Sequence, residues 1–368
     1  MKTKMPAIVG TRLRVWGGKN AIILLSIIFL AVSCNPFRQT PVAGVVKSTN
    51  GGVDWQSANV TQENAGSVSA VNVAKMDFDP QNKETVYVSG FNDGLYKSTD
   101  SAATWRRILS NIWVFDFAID PFDSQIIYAG GYFGDKGSLV KTRDGGKSWE
   151  EVYSEATPQV SVRGVALNPV NTNQVVIGTS AGGVIKSNDG GLTWKLVKNF
   201  GERINRVYWQ NGQVYALVRG KGLFKSTNLE GGEFSELTLS LTKMDNFYQN
   251  FIGINDQSFN QAYIDTLAPG LIYLTAGKGL FKTVNEGQTW QKLALPGNYD
   301  VNLPARPVAV YKQSSNIVMV GVGNVIYRSA DGGTTWQTQK VNSAGFVNYI
   351  LIDPKLSQIV YAGNFVSQ

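Results

Sequence analysis

The chain of 368 residues has no histidine. That absence removes Ser-His-Asp and Cys-His nucleophilic catalysis and every metal site built on imidazole. Cysteine occurs once, at Cys34. A single thiol forms no disulfide within the chain and supplies no thiolate cluster. Hydrolysis would therefore have to use carboxylates, with tyrosine in support, which is the glycosidase solution. No cofactor and no metal are expected. No long helical period is present, and no known nucleic-acid motif.

Acids are missing from the first 33 residues, which carry Lys2, Lys4, Arg12, Arg14 and Lys19. The apolar run Ala21 to Val32 that follows is too short to span a bilayer comfortably. A basic region, a short apolar region and a small residue make a secretory signal. Leu30-Ala31-Val32-Ser33-Cys34 resembles a lipoprotein signal, in which the Cys becomes N-terminal and lipidated. The expected organisation is a signal peptide over 1–33, lipidation at Cys34, a tether over 34–41 and one domain over 42–368. The expected location is the bacterial cell envelope, membrane-anchored by lipid and facing the periplasm or the cell surface. The whole chain has 34 basic and 27 acidic residues, and removal of 1–33 leaves 29 against 27. The basic balance thus belongs to the targeting segment and gives no argument for a nucleic-acid partner.

What the chain does have is a repeat. Ser329-x-Asp331-x-Gly333-x-x-Trp336 has good copies at Thr142-x-Asp144-x-Gly146-x-x-Trp149 and Ser187-x-Asp189-x-Gly191-x-x-Trp194. Asn replaces Asp in the copies with Asn50 and Trp55 and with Asn285 and Trp290. Asp100 and Trp105 belong to a copy with Ala102 in place of Gly. A seventh copy, at Ser226 and Asn228, is degenerate. The leading Ser or Thr residues are spaced by 50, 44, 45, 39, 57 and 46 positions. That period suits a four-stranded propeller blade. Asp or Asn closes a turn on its own backbone, Gly supplies positive φ, and Trp buries a large flat side chain. These residue types serve the turn and need no chemistry to justify them.

A second pattern precedes most boxes: an apolar strand, Asp-Pro or Asn-Pro, and another apolar strand. Asp79-Pro80, Asp120-Pro121, Asn168-Pro169 and Asp353-Pro354 are examples, since Pro marks a turn between strands. The C-terminus holds half such a unit, and Gly44 to Trp55 holds the other half. The expected fold is all-β: a single seven-bladed β-propeller of four-stranded blades, closed by pairing of the N- and C-terminal half-blades. From Gly44 onward the chain resembles the Asp-box (bacterial neuraminidase) repeat propellers, in the style of the sortilin-like, photosystem II assembly factor-like and xyloglucan-hydrolase-like group. The families sharing the motif do different things, so the resemblance implies fold more than activity.

In such a fold the box and Asp-Pro turns share one face, and the other face holds the channel mouth. Lys75, Asp116, Arg163, Arg206 and Arg306 lie near the starts of inner strands, with Asn348 and Tyr349 at the seam. They are either the polar lining of a wet channel or a binding site for an acidic group, which Arg suits. Two segments are candidate recognition loops. One is Gly130 to Gly137, with Tyr132 and Phe133. The other is the long connection after Phe234, with Phe247, Tyr248 and Phe251.

Two functions compete. The first is a non-catalytic protein-binding or assembly scaffold, like the assembly-factor propellers. The second is a carbohydrate-binding or glycoside-hydrolase-like propeller of the sialidase or xyloglucan-hydrolase type. The resemblance implies six blades and an Arg-Ile-Pro segment for sialidases, and two tandem propellers for xyloglucan hydrolases. Seven boxes and one propeller depart from both. A monomer is expected, with a protein or a glycan bound at the propeller face.

Overall fold

The structure is a computed structural model that describes residues 44–62, 67–110, 112–242, 259–277, 279–297, 303–343 and 345–366. These residues form seven four-stranded antiparallel sheets, and the only helical pieces among them are two short turns, Val68–Ala70 and Leu239–Thr242. Each sheet is one blade of a propeller. Blade 1 comprises Asn72–Phe78, Val86–Phe91, Gly94–Ser98 and Arg106–Leu109, from the channel outward. The inner strands of blades 2 to 7 are Ile112–Ile119, Val162–Leu167, Ile204–Gln210, Phe259–Ile264, Ala305–Tyr311 and Phe346–Ile352.

The seam is in blade 7. Its two inner strands, Phe346–Ile352 and Val360–Phe365, come from the C-terminus, and Val45–Ser48 and Gln56–Ser57 complete it. Val45 pairs with Gly363 and Ser48 with Val360. Closure therefore removes the open sheet edge that either half-blade would expose alone.

The core is distributed rather than central. Seven buried apolar clusters lie one at each junction between neighbouring blades. Blades 2, 3, 6 and 7 approach the next blade closely because their second strands carry glycine there, at Gly130, Gly178, Gly321 and Gly363. A Cβ on Gly130 would stand 2.6 Å from Val162 Cγ1, and one on Gly178 would stand 2.5 Å from Ile204 Cγ2.

The box turns close as their residue types require. Ser329 Oγ donates to Asp331 Oδ1 at 2.7 Å and accepts from the Gly333 N–H at 2.8 Å. Asp331 Oδ1 also accepts from the Thr335 N–H at 2.8 Å. Gly333 has φ +97°, a backbone region in which a side chain is strained. In the degenerate copy, Ser226 Oγ instead accepts from the Val214 N–H at 3.0 Å.

The box tryptophans reach across blade boundaries and are not confined to their own blade. Trp105, Trp149, Trp194 and Trp290 donate through Nε1 to Ala58 O, Ile108 O, Val152 O and Leu237 O, all on or beside the outer strand of the preceding blade. The basic residue before three of the boxes works in the opposite direction. Lys47, Lys141 and Lys282 each donate at 2.9 Å to a box carbonyl of the following blade, at Ser101, Gly190 and Gly332. Tyr361, Tyr128 and Tyr273 hydroxyls converge on the same three carbonyls. The boxes are thus joints between blades.

One sequence-based expectation needs correction. Gly130 to Gly137 is not a long loop. Strands Ile127–Phe133 and Lys136–Thr142 run through it, leaving a two-residue hairpin turn in which Gly134 has φ +67°. The Gly-rich composition serves close blade packing and this turn, not a flexible excursion.

Candidate functional site

Each inner strand slips by at least one residue against its second strand, at equivalent places in all seven blades. Such a bulge leaves an extra residue out of the ladder and re-aims its side chain. The bulged residues are Ala74, Phe115, Arg163, Asn205, Asn260, Arg306 (with Pro307) and Asn348. All seven bulge positions face one cavity of about 150 Å³ at the channel mouth, joined there by Arg203 and Arg206.

Three of the bulge residues fasten the ring. Asn205, Asn260 and Asn348 donate through Nδ2 to Phe259 O, Ala305 O and Val73 O at 2.7, 2.8 and 2.7 Å. Each acceptor is the carbonyl just before the bulge of the next blade. The arginines are held from behind. Arg163 Cζ lies 4.0 Å from the Phe115 ring centroid and Arg306 Cζ lies 4.3 Å from that of Phe346. Arg203 Nε donates to Asn205 Oδ1 at 3.0 Å. Arg163 Nε is buried without a hydrogen-bond partner. Burial, with repulsion from Arg203 and Arg206, pulls the Arg163 pKa down to about 10, so it stays charged at neutral pH. Four guanidinium groups thus face one small well, and no carboxylate lines it among the described residues.

One step deeper is a second tier, beside a cavity of about 230 Å³ lined by Lys75, Asp116, Arg206, Gln261 and Tyr349. Asp116 is buried. Its Oδ1 lies 2.7 Å from Lys75 Nζ and 4.0 Å from Arg206 Nη1, and its Oδ2 accepts from the Val165 N–H at 3.0 Å. Lys75 Nζ also donates to Phe117 O at 2.7 Å. Burial opposes the Arg206 charge, but Asp116, Tyr349 and Tyr208 hold its pKa above the ordinary value. Burial pushes the Tyr208 hydroxyl up to about 12 and raises that of Tyr349 further.

The sequence-named residues therefore divide. Arg163 and Arg306 stand at the mouth, and Arg206 faces both tiers. Lys75, Asp116 and Tyr349 lie below, where Lys75 and Asp116 satisfy each other. Tyr132 and Phe133 sit on a strand at the rim: Tyr132 packs edge-on against Phe115, and its hydroxyl donates to Gln159 O. Cys34, Phe247, Tyr248 and Phe251 lie outside the described residues. Arg203, Asn205 and Asn260 were missed from sequence.

The opposite mouth is wider, at about 410 Å³, and is ringed by Pro80, Pro121, Pro169 and Pro354 of the turns. Its Lys83 is already bonded to Asp79 O and Pro80 O at 2.8 and 3.0 Å. Size favours that mouth. Convergence of charged donors favours the smaller one, and donors rather than volume make a recognition site.

No protein-family model matches the chain. Among curated proteins it is similar to xyloglucanase Xgh74A of Acetivibrio thermocellus, 23% identical over 318 residues that cover 71% of this chain and 37% of that protein. The chain thus spans little more than a third of that relative. Among solved structures it resembles the GH74 enzyme of Niastella koreensis, with TM-score 0.62 and 21% identity over 80% of this chain and 51% of that one. It also resembles YCF48 bound to D1 peptide, with TM-score 0.58 and 16% identity over 81% of this chain and 94% of that one. The fold is therefore that of propellers found both in GH74 enzymes and in YCF48.

Proposed function

We propose that this protein is a non-catalytic binding module whose channel mouth takes a carboxylate-bearing segment of a partner protein. One observation carries the reading: the guanidinium groups of Arg163, Arg203, Arg206 and Arg306 converge on one well that no described carboxylate lines. A guanidinium fork is shaped for a carboxylate, and charge-assisted bonds are about twice as strong as neutral ones. The ring is pre-organised by its Asn-to-carbonyl links, so little ordering would be lost on binding. The similarity to YCF48, a propeller solved with a bound peptide, supports the same reading. With Cys34 lipidated, the module would be tethered at the cell envelope and would act there as a scaffold for other proteins.

The second reading is carbohydrate binding or glycoside hydrolysis, favoured by the similarity to xyloglucanases. It lacks a nominated carboxylate pair here. Asp116, in the tier below the well, already has both carboxylate oxygens engaged by Lys75 and by the Val165 amide.

The test is capture from native envelopes with the full chain, alongside an assay for xyloglucan cleavage. A stoichiometric protein partner lost from the Arg163→Ala/Arg306→Ala variant is expected. Unchanged capture by that variant, or cleavage of xyloglucan by the unmodified chain, overturns the reading.

A further inference from the structure

The rim of the arginine well is aromatic along one side. Phe346 stacks on Phe365 with centroids 5.1 Å apart, Phe365 meets Phe91 at 5.4 Å, and Phe91 meets Phe115 at 5.5 Å. The arc crosses blades 7, 1 and 2. It is bounded by an arginine at each end, because Arg306 covers Phe346 and Arg163 covers Phe115.

Against this arc lies a cavity of about 320 Å³, walled by Phe91, Trp113, Phe365 and Val366. Trp113 is 45% exposed, although Phe115 and Tyr132 brace it edge-on at 6.3 and 6.1 Å. A braced, exposed indole beside a concave apolar wall is an unfilled contact surface, of the kind that anchors interfaces. The cavity shares Phe91, Arg306 and Asn348 with the arginine well. One ligand can therefore occupy both.

The polar groups at the cavity wall help to choose the occupant. Asn72 Oδ1 already accepts from the Val366 N–H at 2.7 Å, and Asn348 Nδ2 donates to Val73 O at 2.7 Å. These two amides hold the wall together, while Asn92 also lines it and Arg306 lies over Phe346. A sugar would ask them to read several hydroxyls, whereas a hydrocarbon asks nothing of them.

We infer that this cavity seats a large apolar side chain adjacent to the carboxylate that enters the arginine well, so that the module reads an acidic group and its hydrophobic neighbour together. The inference rests on the carboxylate-binding reading above and adds the partner's second recognition element. Apolar contact with the aromatic wall supplies selectivity among acidic segments, which the arginines alone cannot provide.

The probe is a set of N-acetylated hexapeptides, five glycines followed by Phe, Leu or Ser, each as free acid and as amide. They are titrated calorimetrically into the full chain. The Phe and Leu acids should bind roughly tenfold or more tighter than the Ser acid, with every amide much weaker. Trp113→Ala should bring the Phe-to-Ser ratio towards one. Its exposure makes this a variant that keeps the fold. Arg163→Ala should weaken all three acids alike. Equal binding of the Phe and Ser acids overturns the apolar subsite and keeps the carboxylate reading. Amides binding as well as acids, or no peptide binding at all, overturns both. An acidic oligosaccharide that displaces the Phe acid and binds more tightly overturns the inference in favour of a glycan.

Discussion

Arg206 donates through Nη2 to the carbonyl oxygen of Ala74 at 3.1 Å, across 132 positions of sequence. The bond runs from blade 4 to blade 1, so it spans the channel instead of joining neighbours. The same guanidinium lies 4.0 Å from Asp116 of blade 2. Three blades thus share one charge cluster at the axis, and Arg206 links it to the arginine well.

Removal of Asp116 from that cluster should be costly. Asp116→Ala leaves Lys75 and Arg206 facing each other without a counter-ion and frees the Val165 amide. Breaking a buried pair typically costs about 3–5 kcal/mol. Lys75 and Arg206 keep 14% and 16% of their side-chain exposure, so the lower end, about 3 kcal/mol, is expected. Arg206→Ala leaves Asp116 its lysine and its amide bonds and should cost less, about 1–3 kcal/mol. Denaturant unfolding of both variants gives the order. A more stable Asp116→Ala protein would show that the cluster does not hold the axis.

The box tryptophans should not be equivalent. Trp105 is fully buried at 0% exposure and donates to Ala58 O at 2.6 Å, so Trp105→Ala should cost about 3–5 kcal/mol. Trp194 is half-buried, and its loss should cost less. Trp336 Nε1 is buried without a partner, so Trp336→Phe removes an unsatisfied donor. It should be close to neutral, whereas Trp194→Phe orphans Val152 O and should cost about 1 kcal/mol. Thermal melts of the four variants test this ranking, and identical losses for Trp336→Phe and Trp194→Phe would contradict it.

Deletion of Tyr349 to Gln368 removes the partner of Val45–Ser48 and the inner wall of blade 7. The exposed edges and the apolar surface of the junction with blade 1 should make the shortened chain aggregate. Size-exclusion chromatography and cooperative melting distinguish this from a soluble six-bladed product, which would mean that the seam is dispensable.

Much of this architecture is legible in the residues because each blade repeats a local solution. The box needs Ser or Thr, Asp or Asn, and Gly to close a turn, and those needs survive in the sequence. The half-units at the two ends declare the seam. The mouth is harder to read, because bulges are set by pairing register, which period-2 patterning does not mark. Even so, the bulged residue lies five positions before the turn Asp or Asn in blades 1, 2, 3, 5 and 7: Ala74 before Asp79, Phe115 before Asp120, Arg163 before Asn168, Asn260 before Asp265 and Asn348 before Asp353. Counting from those turns would have found Asn260. Asn205 and Arg306 precede Gln210 and Tyr311, so the count has no landmark there. Arg203 precedes its strand altogether, and only the fold brings it to the well. The aromatic arc combines residues from blades 7, 1 and 2, and no spacing along the chain brings them together.

Acid should loosen the blade joints through the boxes. Asp144, Asp189 and Asp331 have pKa values held well below the usual carboxylate range by side-chain and backbone hydrogen bonds from Ser148, Thr193 and Thr335, with the box Ser or Thr adding another. A carboxylate whose folded pKa is depressed contributes stability that is present above its unfolded value, near 3.9, and is lost as pH falls towards the folded value. Asn already occupies the same place in three copies, at Asn50, Asn228 and Asn285. Asn285 keeps the Thr289 amide bond through Oδ1 at 3.0 Å and donates from Nδ2 to the Thr289 hydroxyl at 2.9 Å, so the turn accepts the neutral side chain by reversing one bond. The Asp144→Asn/Asp189→Asn/Asp331→Asn protein should therefore be somewhat less stable than the parent at pH 7, and the gap should close between roughly pH 5 and pH 2. Urea midpoints measured across that range decide it. Parallel pH profiles for the two proteins would mean that the box carboxylates titrate alike in the folded and unfolded chains, and the acid sensitivity would then have to come from elsewhere.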